Sequence, residues 1–412
     1  MKVAVIGSGL SGLACASRLL DRKCEVHVFD KERDVGGLAG YTTLNGYRFP
    51  KTYHHVLRSD RFLNDAFHRF QLSVDWRRVK VGFYADSEIF PFNNAFDLMK
   101  FRPLSLSDRF RLGWLVLTSK YEKRLRDVSV KEWVTSKVGG GVYENFVSPL
   151  ISTYFGSSED IAAAYLARRW SDESKYASNS IGYANFPKLI DCYVDEIRCK
   201  NGLLKTNYKI KAITVGKSEV SLLSRNEDHY DAAVLTCPTN ESRLLLRGVH
   251  RDVIDQLNAI EYRACLCLAL RLEVRVSDYY WVNVLDREIP FIACFEHGNL
   301  NPGLEGGLVY MVKYLSQNNP LWSADAGTIR KVFTDGLRKI FKSLPKITGW
   351  TLFRTRYGTP VYRSGYRNVM TNPYPRIYFA GVYSAFPEIR SSGPAIRTGI
   401  ETAEKVSEDQ TK

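Results

Sequence analysis

The amino-acid sequence predicts an α/β fold in two lobes, with a parallel sheet gathered from separated stretches of chain and an α+β domain inserted between them. Three observations carry this reading. An apolar run near the N-terminus, Val3-Ala4-Val5-Ile6, breaks at Gly7 and passes directly into helical spacing. A second run, Cys24-Glu25-Val26-His27-Val28-Phe29, follows that helix, and Ile377-Tyr378-Phe379-Ala380 returns the strand pattern near the other end. At 412 residues the chain also exceeds the size at which one hydrophobic core keeps growing.

The first element is the strand ending at Ile6, whose unbroken apolar character suits a position buried on both faces of a parallel sheet. The loop Gly7-Ser8-Gly9-Leu10-Ser11-Gly12 comes next, and Leu13, Ala14, Ala16, Leu19 and Leu20 continue as a helix. In a strand-to-helix turn of this kind a pyrophosphate meets backbone N–H groups at the helix N-terminus. Gly7 is then needed for the tight turn, Gly9 for close approach to phosphate and Gly12 for helix packing. The second strand ends in Asp30, about twenty residues on, where a carboxylate accepts the hydroxyls of an adenosine ribose and repels the extra phosphate of NADP. The extension Asp30-Lys31-Glu32-Arg33-Asp34-Val35-Gly36-Gly37-Leu38-Ala39 adds a glycine pair beside the same pyrophosphate, which points to FAD rather than NAD.

These motifs resemble the superfamily of FAD-dependent amine oxidases, protoporphyrinogen oxidases and phytoene desaturases, to which UDP-galactopyranose mutase is related. The resemblance extends to Ile377-Tyr378-Phe379-Ala380-Gly381 and to Ser392-Gly393-Pro394-Ala395-Ile396, a block that in the family returns to the flavin. Tyr53-His54-His55-Val56-Leu57-Arg58-Ser59-Asp60, Phe90-Pro91-Phe92-Asn93 and Glu296-His297-Gly298-Asn299 are similar to a bacterial protoporphyrinogen-oxidase-like branch; the first two also resemble the mutase. The resemblance implies a discontinuous, Rossmann-like FAD-binding domain of residues 1–75, 190–245 and 365–412, and a substrate domain of 76–189 and 246–364. The implied FAD contacts are Gly7 to Gly12, Asp30, Lys31, Gly36, Gly37, Leu38, Ala39, Ile210, Gly381, Gly393, Pro394, Ala395 and Ile396. Gly393-Pro394 opens a helix whose first N–H groups suit an electron-rich flavin edge.

Four residues are candidates for chemistry. His54 and His55 follow the first FAD-binding piece, where either one contacts the flavin or carries a proton, or one is packed and the other faces solvent. His297 follows the strand-like Pro290-Phe291-Ile292-Ala293-Cys294-Phe295 and either faces the substrate domain, if that strand floors the cavity, or is a structural hydrogen-bonding histidine. Arg390 precedes the last helix and either supplies positive charge to a reduced flavin or anionic substrate, or pairs with Glu388. Lys313 either resembles in type the lysine near the flavin of amine oxidases or is a solvated strand lysine. The expected activity is removal of a hydride from a C–N or C–C bond of a small molecule. A non-redox flavoenzyme of the UDP-galactopyranose mutase type, acting on a nucleotide sugar, remains the alternative.

Composition sets the remaining limits. With 45% hydrophobic and 25% charged residues the chain is of ordinary globular type. A formal net charge of +14 favours anionic partners, and the absence of nucleic-acid-binding signatures argues against DNA or RNA. Eight cysteines without CxxC or zinc-like spacing read as reduced and structural, so no metal is expected. No window approaches about eighteen consecutive apolar residues and the N-terminus enters a strand without a basic leader, so a cytoplasmic protein is expected. One segment, near residues 104–126, reads as a helix with aromatic residues and a basic end containing Lys120, Lys123, Arg124 and Arg126. It is either an ordinary packed helix or a peripheral contact for an anionic membrane.

Overall fold

A computed structural model describes residues 1–409 except 45, 123, 175–179 and 302; Lys123 therefore lies outside the described residues. Five parallel strands form the first sheet, in the order Ile377–Phe379, Ala232–Leu235, Lys2–Ile6, Glu25–Phe29, Leu203–Lys205. The chain enters at the centre, which is why Val3, Ala4 and Val5 are fully buried. Alternate residues serve opposite faces. Val3, Val5, Val26, Val28 and Val234 pack with the first helix, Leu10–Asp21, with Phe186–Cys199 and with the last helix, Ser392–Asp409. Ala4, Ile6, Phe29 and Leu235 pack instead with Ile213, Val220 and Leu222 of a small four-stranded sheet within residues 212–247. This is a Rossmann-like α/β arrangement.

The second lobe is built on a seven-stranded sheet ordered Ile347–Pro360, Tyr262–Leu272, Gly307–Leu315, Ala293–Glu296, Tyr279–Val284, Lys80–Ala85, Glu88–Pro91. All its pairs are antiparallel except Tyr279–Val284 with Lys80–Ala85. The helix Ala326–Phe341 covers one face through Ile329, Phe333 and Leu337. The other face, with Cys265, Cys267, Tyr310 and Val312, turns into the main core shared with the helices Leu106–Thr118, Val130–Val138, Ser148–Phe155 and Ala163–Ser174. The eight cysteines are free thiols. No helix among the described residues is long and apolar enough to cross a membrane.

Candidate active site

The two glycine loops meet at the carboxyl end of the parallel sheet. Gly36 N–H donates to the Ser8 carbonyl at 2.8 Å, and Gly9 and Gly36 form an isolated parallel bridge. Gly7 and Gly36 have φ of +113° and +100°, a region that residues with a Cβ avoid. A Cβ on Gly12 would lie 1.9 Å from the Gly7 carbonyl oxygen, whereas one on Gly9 would meet nothing within 4 Å. Gly9 caps the first helix, so its open side faces a helix N-terminus. The loop is closed by two contacts that spacing alone did not reveal. Thr236 Oγ1, just beyond the strand Ala232–Leu235, lies 3.1 Å from both the Ile6 and the Gly7 carbonyl. Asp30 accepts from Ser8 N–H at 2.7 Å, from Ser8 Oγ at 2.6 Å and from Glu32 N–H at 2.9 Å. Both acceptor sites of Oδ2 are thus taken by Ser8, and Oδ1, which accepts only from Glu32 N–H, retains a lone pair for a ribose hydroxyl.

Other predicted contacts fall beside this loop in different ways. Lys31 turns outward to Glu241 at 2.6 Å, which leaves its backbone rather than its ammonium near the loop. Ile210 is buried but lies in the extended run before the strand Ala212–Val215, not within a strand; the same run is tied to the end of the second strand by Tyr208 N–H donating to the Asp30 carbonyl at 2.8 Å. Leu38 remains 40% exposed while Ala39 is buried, so the second loop offers Leu38 to a ligand. Gly381 ends the strand Ile377–Phe379, and Ile396 packs into the helical layer.

The first turn of the last helix differs from expectation. Asp60, which caps the helix Arg61–Arg69, accepts from Gly393 N–H and Ser391 Oγ, both at 3.2 Å. The helix N-terminus thus already holds an internal carboxylate, because an orphan N–H and a helix dipole favour the nearest anion. Burial raises the Asp60 pKa to about 6. Pro394 has no N–H and Ala395 N–H donates to the Ser391 carbonyl at 3.4 Å, which leaves Ser392 N–H as the remaining donor of that turn.

The predicted histidines converge. His54 Nε2 donates to the Leu38 carbonyl at 3.3 Å, and its ring stacks on Phe186 at 4.7 Å. His55 Nδ1 shares a 2.9 Å hydrogen bond with the Tyr280 hydroxyl. His297 is buried between Tyr183 and Tyr310, and its Nδ1 has no partner. Burial lowers their pKa values to about 4, 3 and 4 respectively, with His54 and His297 adding further positive charge near His55. All three are therefore neutral imidazoles at neutral pH, suited to hydrogen bonding rather than to carrying a proton on and off. Tyr53, which sequence reasoning passed over, stacks on Phe295 at 3.8 Å beside them.

Arg390 is not paired with Glu388, which goes to Arg397 at 3.1 Å. Its Nη1 bonds to Thr359 Oγ1 and its Nη2 donates to the Tyr165 hydroxyl at 3.2 Å. The guanidinium lies 4.4 Å from the Phe155 ring centre and 6.0 Å from those of Tyr314 and Tyr362. No carboxylate pairs with it among the described residues, and its Nε is buried without a partner. Tyr53, His54, His55, Tyr314 and Arg390 each keep some accessible surface. Lys313 does not join them. It shares the sheet face of Met311 and Leu315, which pack against the helix Ala326–Phe341, while Tyr310 and Tyr314 point the other way.

A helix-capped double glycine loop on a parallel sheet, with an aromatic interior beside it, defines a flavin-dependent oxidoreductase of the Rossmann-like class. The chain belongs to the family of flavin-containing amine oxidoreductases, matched over residues 10–407, and FAD is its cofactor. Among solved structures it is similar to a protein described as a protoporphyrinogen oxidase of Exiguobacterium sp. 255-15, with a TM-score of 0.81, 14% identity and 99% of each chain covered. It is likewise similar to reduced UDP-galactopyranose mutase, with a TM-score of 0.79, 15% identity and 100% and 96% of the two chains covered. At such identities the likeness is one of fold. A curated relative, 4,4'-diapophytoene desaturase (4,4'-diaponeurosporene-forming) of Staphylococcus aureus, is 43% identical over 49 residues, 12% of this chain and 10% of the desaturase.

Proposed function

We propose that the protein removes a hydride from a C–N or C–C bond of a small substrate carrying an anionic group. The observation that carries this reading is the open side of Gly9, set at a helix N-terminus and bonded through Gly36 to the second glycine loop. A Cβ on Gly9 would meet nothing within 4 Å, which leaves room for a phosphate oxygen against the backbone. The residues that hold FAD in this reading are Gly7 to Gly12, Asp30, Gly36 to Ala39, Ile210 and Gly381, with Lys31 contributing through its backbone; of Gly393 to Ile396 only Ala395 keeps accessible surface, because Gly393 N–H is taken by Asp60 and Ile396 is packed in the helical layer. When bound, FAD supplies the electron-accepting centre. The FAD-binding domain then comprises residues 1–75, 190–245 and 365–412, which contain all five strands of the parallel sheet.

The chain's own side chains do the rest. His54 and His55 orient neighbouring groups as neutral donors, Tyr53 and Phe295 exclude water, and Arg390 holds the anionic part of the substrate. A cytoplasmic, reducing setting fits the free thiols.

A second reading is favoured by Arg390 itself. An interior guanidinium without a carboxylate, ringed by aromatic side chains, also suits the phosphate of a nucleotide sugar, and so a non-redox enzyme of the mutase type. Anaerobic addition of candidate anionic amines and unsaturated acids, with visible flavin absorbance as readout, separates the two. Bleaching by substrate alone supports the oxidoreductase. Turnover of a nucleotide sugar only after chemical pre-reduction of the protein overturns it in favour of the mutase type.

A further inference from the structure

Most large apolar side chains of this protein are covered, and the helix Leu106–Thr118 is the main departure. Its inward face is supplied by Asp108, Leu112 and Leu115. Its outward face carries Leu106, Phe110, Trp114 and Leu117, continued by Tyr121 in the turn Ser119–Tyr121, with exposures from 51% to 71%. Steps of four and three residues keep these five on one stripe of the helix surface. They are five of the eleven exposed large hydrophobic side chains among the described residues, and a sixth, Phe96 at 76%, lies on the helix Ala95–Met99 that packs alongside. Scattered exposed apolar residues are ordinary, but a continuous stripe marks a surface that something covers.

Charge identifies what covers it. Lys100 lies 5.6 Å from the Phe96 ring centre and Lys120 lies 4.8 Å from that of Tyr121, so cations flank both ends of the apolar surface. A basin of about 530 Å³ opens beside the end of the helix and is lined by Lys120, Arg124 and Arg126, together with Glu122 and with Arg168, which is paired with Asp172 at 2.7 Å. Of the acidic residues nearby, Asp108 is paired with Arg111, Glu122 with Lys137 and Asp127 with Arg367, while Asp97 accepts from Asn93 N–H at 2.7 Å. A second copy of the chain would bring the same cationic rim and its own +14 against this one. A surface of anionic phosphates over an apolar layer complements both features at once.

We propose that the helix Leu106–Thr118 is a docking face for an anionic lipid bilayer. Phe110, Trp114 and Leu117 enter the boundary between headgroups and acyl chains, and Lys120, Arg124 and Arg126 remain at the level of the phosphates. Docking brings the bilayer close to the substrate side of the protein. Phe386, which lines the same basin, packs on Tyr362 at 5.1 Å, and Tyr362 belongs to the ring of aromatics around Arg390. The inference stands apart from the reading of the flavin site.

The test is co-sedimentation of the flavin-loaded protein with phosphatidylglycerol–phosphatidylcholine vesicles and with phosphatidylcholine vesicles. Binding to the first and not the second, weakening as salt is raised, is expected. Phe110→Ser with Trp114→Ser should abolish binding while flavin content and melting temperature stay at wild-type values, because both side chains are exposed. Lys120→Gln with Arg124→Gln should weaken binding by about tenfold or more. Failure of the wild-type protein to bind anionic vesicles, equal binding to both vesicle types, or undiminished binding by the apolar double variant overturns the proposal. A wild-type dimer that the apolar double variant converts to monomers, without vesicle binding by either, assigns the stripe to a second copy instead.

Discussion

Gly9 and Gly12 stand three positions apart in one loop and have opposite tolerances. A methyl group on Gly12 collides with the Gly7 carbonyl and with Thr236 Oγ1, whereas one on Gly9 projects into open space. Gly12→Ala is therefore expected to disrupt the loop and lower the melting temperature. Gly9→Ala should fold with a loss of about 1 kcal/mol or less, the usual cost at a helix cap, yet carry little flavin, because its methyl fills the space of a pyrophosphate. The flavin-to-protein absorbance ratio read beside the melting curve separates these outcomes, and full flavin content in Gly9→Ala would remove the pyrophosphate from this loop. Arg390 gives a second contrast. Arg390→Met removes an unpaired interior charge and keeps an apolar side chain among Phe155, Tyr314 and Tyr362, so it should melt at or above the wild-type temperature. A fall of several degrees would mean that the guanidinium is structural. At this scale the glycines and Asp30 were legible because their spacing is local. The partnership of Asp60 with Gly393 was not, since 333 positions separate them and neither carries a local signal for the other.

The elements were legible where their period was clean. The strand Lys2–Ile6 and the helix Leu106–Thr118 follow from spacing alone. The hairpin Lys80–Ala85 with Glu88–Pro91 was read only as a resemblance at Phe90-Pro91-Phe92-Asn93, because its parallel partner, Tyr279–Val284, lies some 200 positions away. Lys313 shows a signal that was available but unused. Strand alternation alone separates it from Tyr310 and Tyr314. A further glycine decides how two elements meet: Gly399 in the last helix, where an added Cβ would stand 2.2 Å from the Ser11 carbonyl oxygen of the first helix. Helix propensity alone favours Gly399→Ala by about 1 kcal/mol. Overpacking costs about 1–3 kcal/mol and opposes it. Packing is expected to win, giving a lower melting temperature together with weaker flavin retention, since the first helix carries the Gly9 cap. An unchanged or raised melting temperature would show that the helices separate at little cost.

At the scale of the whole molecule, the interior beside the glycine loops is assembled from segments around residues 53–55, 155–165, 280–314 and 359–390, and no sequence period links them. That assembly explains why FAD binding could be read from the ends of the chain while the chemistry could not. It also gives the protein a pH dependence with a definite sign. His54, His55 and His297 have pKa values lowered by burial to about 4, 3 and 4, below the ordinary 6.5, so the folded chain binds fewer protons than the unfolded one in mildly acidic solution. The stability they contribute is complete above about pH 6.5 and is lost as pH falls through the folded values. Each imidazole contributes at most about 1.4 kcal/mol per pH unit to that slope. Asp60 acts in the opposite sense: its pKa is raised to about 6 from 3.8, so its contribution is present below the lower value and lost as pH rises through the higher one. Three imidazoles outweigh one carboxylate, and the melting temperature should decline between about pH 6.5 and pH 4. His297→Gln removes one imidazole that touches neither glycine loop and should flatten the decline by roughly one half, since Asp60 already offsets one of the three. A variant whose profile follows the wild type throughout would mean that His297 is solvated, not desolvated, in the folded protein.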